Sequence, residues 1–481
     1  MICISLTSGD LNQLRKDMAA AAPLADLIEI RLDYLPDTAD LGEVIASRPK
    51  PVIATYRRIE DGGRYEGDDR VRIAAIQKAA EQGADYIDIE LDTAPELREL
   101  SAKLIVSYHN FKETPRNLAA IHARAVDAGA HIVKIAVAAN RLSDNLRVFE
   151  LLRGVDVPTA AFCMGELGMI SRIVGRKFGS MITYASLAKG KETAPGQVPA
   201  ADLRHLYRYN KIGPNTAIYG VIANPVAHSM SPAIHNAAFD HTGINAVYLP
   251  FKVDEPAGFV KEFQSIDVQG YSVTIPHKET IMAAMDEIDP VAKAIGAINT
   301  VVNRNGKLMG CNTDCLAAMG ELEKVTRLAG KRAVMIGAGG GARAIAFGLK
   351  QMGVDLTVTD VVSDKARKLA GDVGCHWVEQ SKLGKPVADI LLNATPVGMH
   401  PNVDQTPIPP DWLRPDVVVF DIVYNPIETR LLHEARRIGC KTVSGFDMFV
   451  SQAVAQFELW TGRRAPVQIM ADVVRKRLTT Q

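Results

Sequence analysis

Charge of either sign is missing in excess: 55 lysines and arginines meet 55 aspartates and glutamates. That balance leaves no global field to draw the chain to nucleic acid or to an anionic membrane. Any basic patch is therefore local, as suits small anionic substrates. Clustered cysteines are lacking too. Of Cys3, Cys163, Cys311, Cys315, Cys375 and Cys440, only Cys311 and Cys315 lie close, and no second Cys/His pair stands near them. This argues against a zinc or other metal site and for a reducing, cytoplasmic setting. The N-terminus MICISLTSGD has no basic stretch followed by an apolar one, and no apolar run approaches 18 residues. Neither a signal peptide nor a membrane span is expected. Internal repeats and low-complexity tracts are absent as well.

What is present is a long, ordinary globular composition. A chain of 481 residues exceeds one core, and its apolar fraction of 47% and charged fraction of 23% suit two or three soluble domains. Eight β-rich apolar runs come first: ICISLT, LIEIRLD, PVIATYR, YIDIEL, KLIVSYH, HIVKIAV, TAAFCMG and MITYAS. Amphipathic stretches such as DRVRIAAIQKAAEQGA separate most of them. Eight strand–helix units predict a (β/α)8 barrel over residues 1–210, with an open doubly wound sheet as the alternative. The pattern breaks at HLYRYNKIGPNTA, which places a linker near Gly213. Residues 214–481 then predict a second α/β unit. It comprises a substrate lobe (214–315), a Rossmann-like nucleotide lobe (330–440) and C-terminal helices that return to the substrate lobe.

Polar residues gather on the barrel runs, and catalytic groups of such barrels lie where strands end. Glu29 and Arg31 sit in the second run, Arg57 ends the third, Asp88 and Glu90 share one face of the fourth, His109 closes the fifth and Lys134 lies within the sixth. A lysine inside a buried strand is costly unless paired or neutral. Desolvation and nearby cations would make its amine nucleophilic. The plain alternative is a strand-end lysine with its head in solvent, and for His109 a satisfied structural histidine. Two loop arginines weigh against these. Arg57 and Arg172 could bind a carboxylate and ring hydroxyls, Arg172 with both nitrogens. The loop KETAPGQ could close over them and bring Gln197 as a polar contact.

Taken together, EIRLD, IDIEL, SYHNF, VKIAV, MGELGMISR, GSMITYAS and APGQ resemble type I 3-dehydroquinate dehydratase across almost all of residues 1–200. The resemblance implies a Schiff base between Lys134 and the C3 ketone of 3-dehydroquinate. It makes His109 the base at C2 and the group that helps expel the C1 hydroxyl, with Asp88 orienting it. Arg172 would hold the substrate carboxylate. Glu29, Arg31, Arg57, Asp61, Thr193 and Gln197 would line the pocket. Two positions depart from the pattern: Asp61 stands where the family usually has glutamate, and Thr193 where serine commonly precedes APGQ. Both keep the functional group, which predicts altered kinetics and retained activity.

The second half carries GAGGGAR directly after RAVMI and before AIAFGLKQM. Small residues between a strand and a helix let backbone approach a pyrophosphate, and the helix N-terminus favours negative charge. Asp360 ends the next run, where a carboxylate would bond a ribose diol and repel a 2′-phosphate. Lys365 and Arg367 could partly offset it, and a helix N-cap is the alternative role. Upstream, Ser229 and Ser231 are spaced to reach one carboxylate. Lys278 follows SVTIPH and Asp314 ends GCNTD, a pair able to pass the proton that accompanies hydride transfer.

These segments, with NPVAHSMSPAIHN, GAINTVV, NATPVGM, DIVYNP and GFDMFVSQA, resemble shikimate dehydrogenase over residues 218–480. The resemblance implies reversible reduction of 3-dehydroshikimate to shikimate, with Lys278 and Asp314 as the catalytic pair. Ser229, Ser231, Thr274, Asn299 and Gln452 would bind substrate, Tyr424 and Gly445 would lie near nicotinamide and substrate, and Gly337, Gly339, Gly340, Gly341 and Ala342 would bind the cofactor. The family default is NADP. Its second nucleotide strand normally ends in Asn-Arg-Thr, whose arginine holds the phosphate. Asp360-Val361-Val362 stands here instead and argues for NAD or a relaxed preference. Ser272 likewise replaces the usual asparagine before VT. The product of the first reaction is the substrate of the second, so the expected protein runs two consecutive steps. An NAD-linked enzyme working from quinate is the rival. A non-catalytic sensor would have lost Lys134, His109, Lys278 or Asp314, and all four remain.

Overall fold

A computed structural model describes residues 1–36, 39–97, 101–227 and 229–479. His228, inside the motif AHSMSP, lies outside the described residues. Internal packing divides the chain into residues 1–217 with 245–252 and residues 218–244 with 253–481.

The first unit is the expected eight-stranded barrel. Its strands are β1 (Ile2–Leu6), β2 (Leu27–Arg31), β3 (Val52–Thr55), β4 (Tyr86–Glu90), β5 (Lys103–Asn110), β6 (Ile132–Ala138), β7 (Thr159–Met164) and β8 (Thr183–Ala185). They run parallel in the order β7-β6-β5-β4-β3-β2-β1-β8. Near the remaining seam, Met181 N donates to Thr159 O at 2.7 Å. β1 and β2 are buried at every position, as strands covered by helices outside and side chains inside must be. Helices start where the sequence supplies acceptors for their free N–H groups. Asp10 caps Leu11–Ala21, and Asp68 caps Asp69–Glu81. Cys3, Ile53, Ile105, Ala160 and Phe162 form one of the barrel's apolar clusters.

In the second unit, Ala217–Ala223 pairs parallel with Val268–Val273, which pairs antiparallel with Thr300–Arg304. Lys307–Cys311 completes a hairpin whose tip, Asn305-Gly306, has φ of 54° and 90°. Asn-Gly is the pair that tolerates such a turn. The other sheet is wholly parallel. It orders His376–Trp377, Asp355–Thr359, Arg332–Ile336, Ile390–Asn393, Val418–Asp421 and Lys441–Ser444. Ser444 caps the long helix Gly445–Thr461. That helix carries Gln456 to the first sheet, where it meets Ser272 Oγ at 2.7 Å and donates to Asn299 O at 3.1 Å.

Candidate active sites

Strand register assembles the first site. Glu90 lies opposite Ser107 and Ser107 opposite Lys134, so side chains of β4, β5 and β6 meet inside the barrel. Lys134 Nζ donates to Asp88 Oδ2 at 2.7 Å and to Glu29 Oε1 at 3.3 Å, and lies 3.9 Å from the Tyr184 ring centre. Ser5 and Thr55 donate to Glu29 at 2.5 and 3.0 Å. Arg57 pairs with Asp88 and Glu90, each at 2.8 Å, and donates to Ser107 Oγ at 2.7 Å. Behind it the fully buried Arg72 pairs with the other Glu90 oxygen. Three cations thus meet three carboxylates, the matching that a dry interior requires. Burial alone would raise Asp88, but the charges of Arg57 and Lys134 hold it well below the usual carboxylate range. Glu29 is lowered in the same way, against its burial, first by Lys134.

Arg172 is the exception. It is 1% exposed, stacks 4.2 Å from the Phe162 ring centre, and has a buried Nε with no hydrogen-bond partner among the described residues. Its other nitrogens reach only carbonyls, Tyr184 O at 3.3 Å and Pro195 O at 3.5 Å. Among the described residues no carboxylate pairs with it. Burial pushes its pKa down to about 9. A cation kept this dry is relieved by an incoming anion.

His109 was expected to be oriented by Asp88, and the geometry differs. Lys134 and Arg57 draw Asp88 into the barrel centre. The loop after β3 instead brings Asp61 Oδ1 to 3.6 Å from His109 Nδ1. Phe111 stacks on the same imidazole. Burial and the charge of Arg57 lower the His109 pKa, against the pull of Asp61.

Glu29, Arg31, Arg57, Asp61, His109, Lys134, Arg172, Thr193 and Gln197 line one cavity, with Asp88 behind Lys134. Several polar heads are already engaged. Arg31 makes two bonds to Asp33, at 2.8 and 2.6 Å. Gln197 bonds the Thr193 amide at 2.7 Å and its hydroxyl at 2.9 Å. The APGQ segment is pinned at Gly196. Its φ is +75°, and a Cβ there would meet Gly165 O at 2.1 Å. Ser5, Phe111, Phe162 and Tyr184 also line the wall; the pairing of β8 with β1 brings Tyr184, opposite Cys3, into it.

In the second site Lys278 Nζ lies 2.5 Å from Asp314 Oδ2. Asn299 donates to Asp314 Oδ1 at 2.8 Å and to Thr313 Oγ1 at 2.9 Å, so the carboxylate is held from its far side. The Asn312 side chain accepts from Asp314 N at 3.0 Å, which fixes the start of the helix Asp314–Glu323. Ser229 Oγ accepts from Ser231 N at 3.2 Å, and Ser231 is buried. Thr274 is half-buried just past its strand. Tyr424 stacks on Phe449 at 4.6 Å, and Gln452 donates to Phe449 O at 2.8 Å. Burial raises the Tyr424 phenol.

The glycine turn adjoins this pair: a Cβ on Gly340 would lie 3.4 Å from Lys278 Cδ. Gly337 has φ of +113°, and a Cβ there would meet Ala394 O at 2.5 Å. Gly339, Gly340, Gly341 and the buried Ala342 open the helix Gly340–Gln351, and no side chain caps its N-terminus. Uncapped N–H groups beside a sterically bare turn fit a dinucleotide pyrophosphate. Asp360 does not cap the following helix, whose N-cap is Val362. Its carboxylate accepts from Ala338 N and Val362 N, each at 2.8 Å. Gly445 opens the helix capped by Ser444. Among the described residues, no group of three or more His, Cys, Asp or Glu could hold a metal ion, and no helix is long and apolar enough to cross a membrane.

Fold and sites define an α/β enzyme with two catalytic units, a lysine-bearing barrel and a two-lobed dehydrogenase. Comparison with known proteins gives the family. Residues 2–214 match the model of type I 3-dehydroquinase, 221–301 the shikimate dehydrogenase substrate binding domain, and 445–475 the shikimate 5′-dehydrogenase C-terminal domain. The chloroplastic bifunctional 3-dehydroquinate dehydratase/shikimate dehydrogenase of Arabidopsis thaliana is 40% identical over 99% of this chain and 84% of that protein. The shikimate dehydrogenase (NADP(+)) of Moorella thermoacetica is 44% identical over 55% of this chain and 94% of its own. A Thermus thermophilus shikimate 5-dehydrogenase, solved with NADP(H) and shikimate, is similar with a TM-score of 0.51 and 33% identity, over 54% of this chain and 99% of that one. The chain belongs to the bifunctional 3-dehydroquinate dehydratase/shikimate dehydrogenase family. It is both a lyase and an oxidoreductase of the shikimate pathway.

Proposed function

We propose that residues 1–210 dehydrate 3-dehydroquinate through an imine on Lys134, and that residues 214–481 reduce the resulting 3-dehydroshikimate to shikimate. In this reading 214–315 and the C-terminal helices bind substrate, and 330–440 bind the cofactor. The observation that carries it is the Lys134 amine, buried beside two carboxylates in the cavity that holds His109 and Arg172.

Arg172 takes the substrate carboxylate, the anion its burial calls for. Lys134 Nζ adds to the C3 carbonyl, the protons it gives up go to the carbonyl oxygen, and loss of that oxygen as water leaves a protonated imine. That imine accepts the electrons released when His109 removes the C2 proton. The electrons return to expel the C1 hydroxyl, which His109 protonates as it leaves. Water then hydrolyses the imine and frees Lys134. The charge of Asp61, 3.6 Å from Nδ1, favours the His109 tautomer whose Nε2 can act as base.

In the second site a nicotinamide cofactor, when bound, would supply the hydride. Lys278 donates the proton to the oxygen formed from the ketone, and Asp314, steadied by Asn299, keeps Lys278 in place. Ser229 and Ser231 bind the carboxylate. Thr274, Gln452 and Tyr424 border the ring, with Gly445 beside the nicotinamide. Gly337, Gly339, Gly340, Gly341 and Ala342 receive the pyrophosphate. For the ribose, the carboxylate of Asp360 favours a diol over a 2′-phosphate, and the exposed Val361 offers no charge. Arg367 lies over Trp377 and beside Asp364, which weakens its case as a phosphate ligand. NAD, or either nucleotide, is therefore the proposed cofactor, although the Moorella relative is named for NADP(+) and the Thermus structure holds NADP(H).

Borohydride added with 3-dehydroquinate tests the imine. The expected result is a mass increase on the peptide bearing Lys134 and loss of dehydration. Labelling elsewhere, or none, overturns the reading.

A further inference from the structure

Asp61 does not serve His109 alone. Its Oδ2 accepts two bonds from Arg58, from Nη2 at 2.8 Å and Nε at 3.1 Å, and only Oδ1 is turned to His109. The separation of 3.6 Å there is too long for a hydrogen bond, and the buried His109 Nδ1 has no other partner among the described residues. Arg58 is itself fixed from the far side. Its Nη2 also donates to both oxygens of Asp92, at 3.0 and 3.1 Å, and its Nη1 lies 3.8 Å from Asp69. A guanidinium held by three carboxylates keeps its direction. Aspartate is one methylene shorter than glutamate, so the carboxylate stops short of the imidazole and leans on the arginine.

We propose that Arg58 is a positioning residue for dehydration: it holds Asp61 behind His109 and, by drawing that carboxylate away, keeps the imidazole less basic than a carboxylate shared with no cation would. The inference rests on the reading of His109 as the base. The charged groups facing His109 are Asp61 from the loop after β3, Arg57 at the end of β3, Asp88 from β4 and Lys134 from β6. Of these, Asp61 is the one whose grip Arg58 can change. Burial would raise Asp61, but His109 and Arg58 bring it down to about 2, so it stays an anion wherever the enzyme works.

The experiment measures the pH profile of kcat/KM for dehydration in the full chain, with shikimate oxidation as the check on folding. Arg58→Gln is expected to move the acid limb up by about half a unit to one unit. It should lower kcat several-fold with KM for 3-dehydroquinate within twofold. The double variant Arg58→Gln/Asp61→Glu, whose longer side chain reaches His109 without the arginine, is expected to regain most of kcat and keep the raised limb. An unmoved limb in Arg58→Gln, or a loss that Asp61→Glu does not repair, overturns the proposal. His109→Ala separates the two ideas. If it keeps dehydration, the base assignment fails; if it loses dehydration while Arg58→Gln moves nothing, only the role of Arg58 fails.

Discussion

Lys134 Nζ lies 2.7 Å from Asp88 Oδ2, inside a barrel where Asp88 is fully buried. The carboxylate pairs with the Lys134 amine and with Arg57 at once. Replacing Lys134 with Ala removes the proposed nucleophile and leaves Asp88 paired with Arg57. Dehydration is expected to fall by at least about 10³-fold, while shikimate oxidation keeps its rate. Initial rates of both reactions on the same preparation check this.

The His109 pKa sits below its ordinary value, through burial first and Arg57 second. A general base works unprotonated, and a lowered pKa keeps it so to lower pH. The acid limb of kcat/KM for dehydration is therefore expected below about pH 6.5, the unperturbed histidine value. A limb above pH 7, removed together with activity in His109→Ala, would show the opposite shift.

Among the described residues no carboxylate meets the charge of Arg172. Arg172→Met is expected to raise KM for 3-dehydroquinate about 100-fold or more, on the scale of a lost charge-assisted pair. An unchanged KM would place the substrate carboxylate elsewhere.

Glu90 is shared by two buried arginines, Arg57 and Arg72. Arg72→Met strands half of that carboxylate in the interior, at a cost of about 3–5 kcal/mol. The temperature at which dehydratase activity is lost should drop by several degrees. The drop should shrink in Arg72→Met/Glu90→Gln. Equal losses in the single and double variants would contradict the pairing.

Asp360 and Val361 set the nucleotide choice in this account. Val361→Arg, with Asp360→Asn, is expected to raise kcat/KM with NADPH at least about tenfold, as one added phosphate contact allows. A chain that already prefers NADPH would overturn the argument from Asp360.

Much of this was legible in the sequence because it rests on local periodicity. Eight apolar runs gave eight strands, and β4 alternation put Asp88 and Glu90 on one side. Lys278 and Asp314 stood out through the loops that end their strands. Partner choice was not legible, because it depends on which side chains lean together across a closed barrel. Asp61 comes to 3.6 Å from His109 Nδ1, while Lys134 and Arg57 hold Asp88 from other strands. Arg72 reads as an ordinary charge on a helix, and only the fold buries it against Glu90. The Arg58–Asp61 contact spans three residues and forms across the single helical turn Ile59–Asp61.

The central claim is that one chain carries out two consecutive reactions at separate sites. Cofactor oxidation by Lys134→Ala tests it most directly, with 3-dehydroquinate in one cuvette and 3-dehydroshikimate in another. The account predicts no oxidation in the first and the unmodified enzyme's rate in the second. Oxidation in the first cuvette, or none in the second, would contradict it.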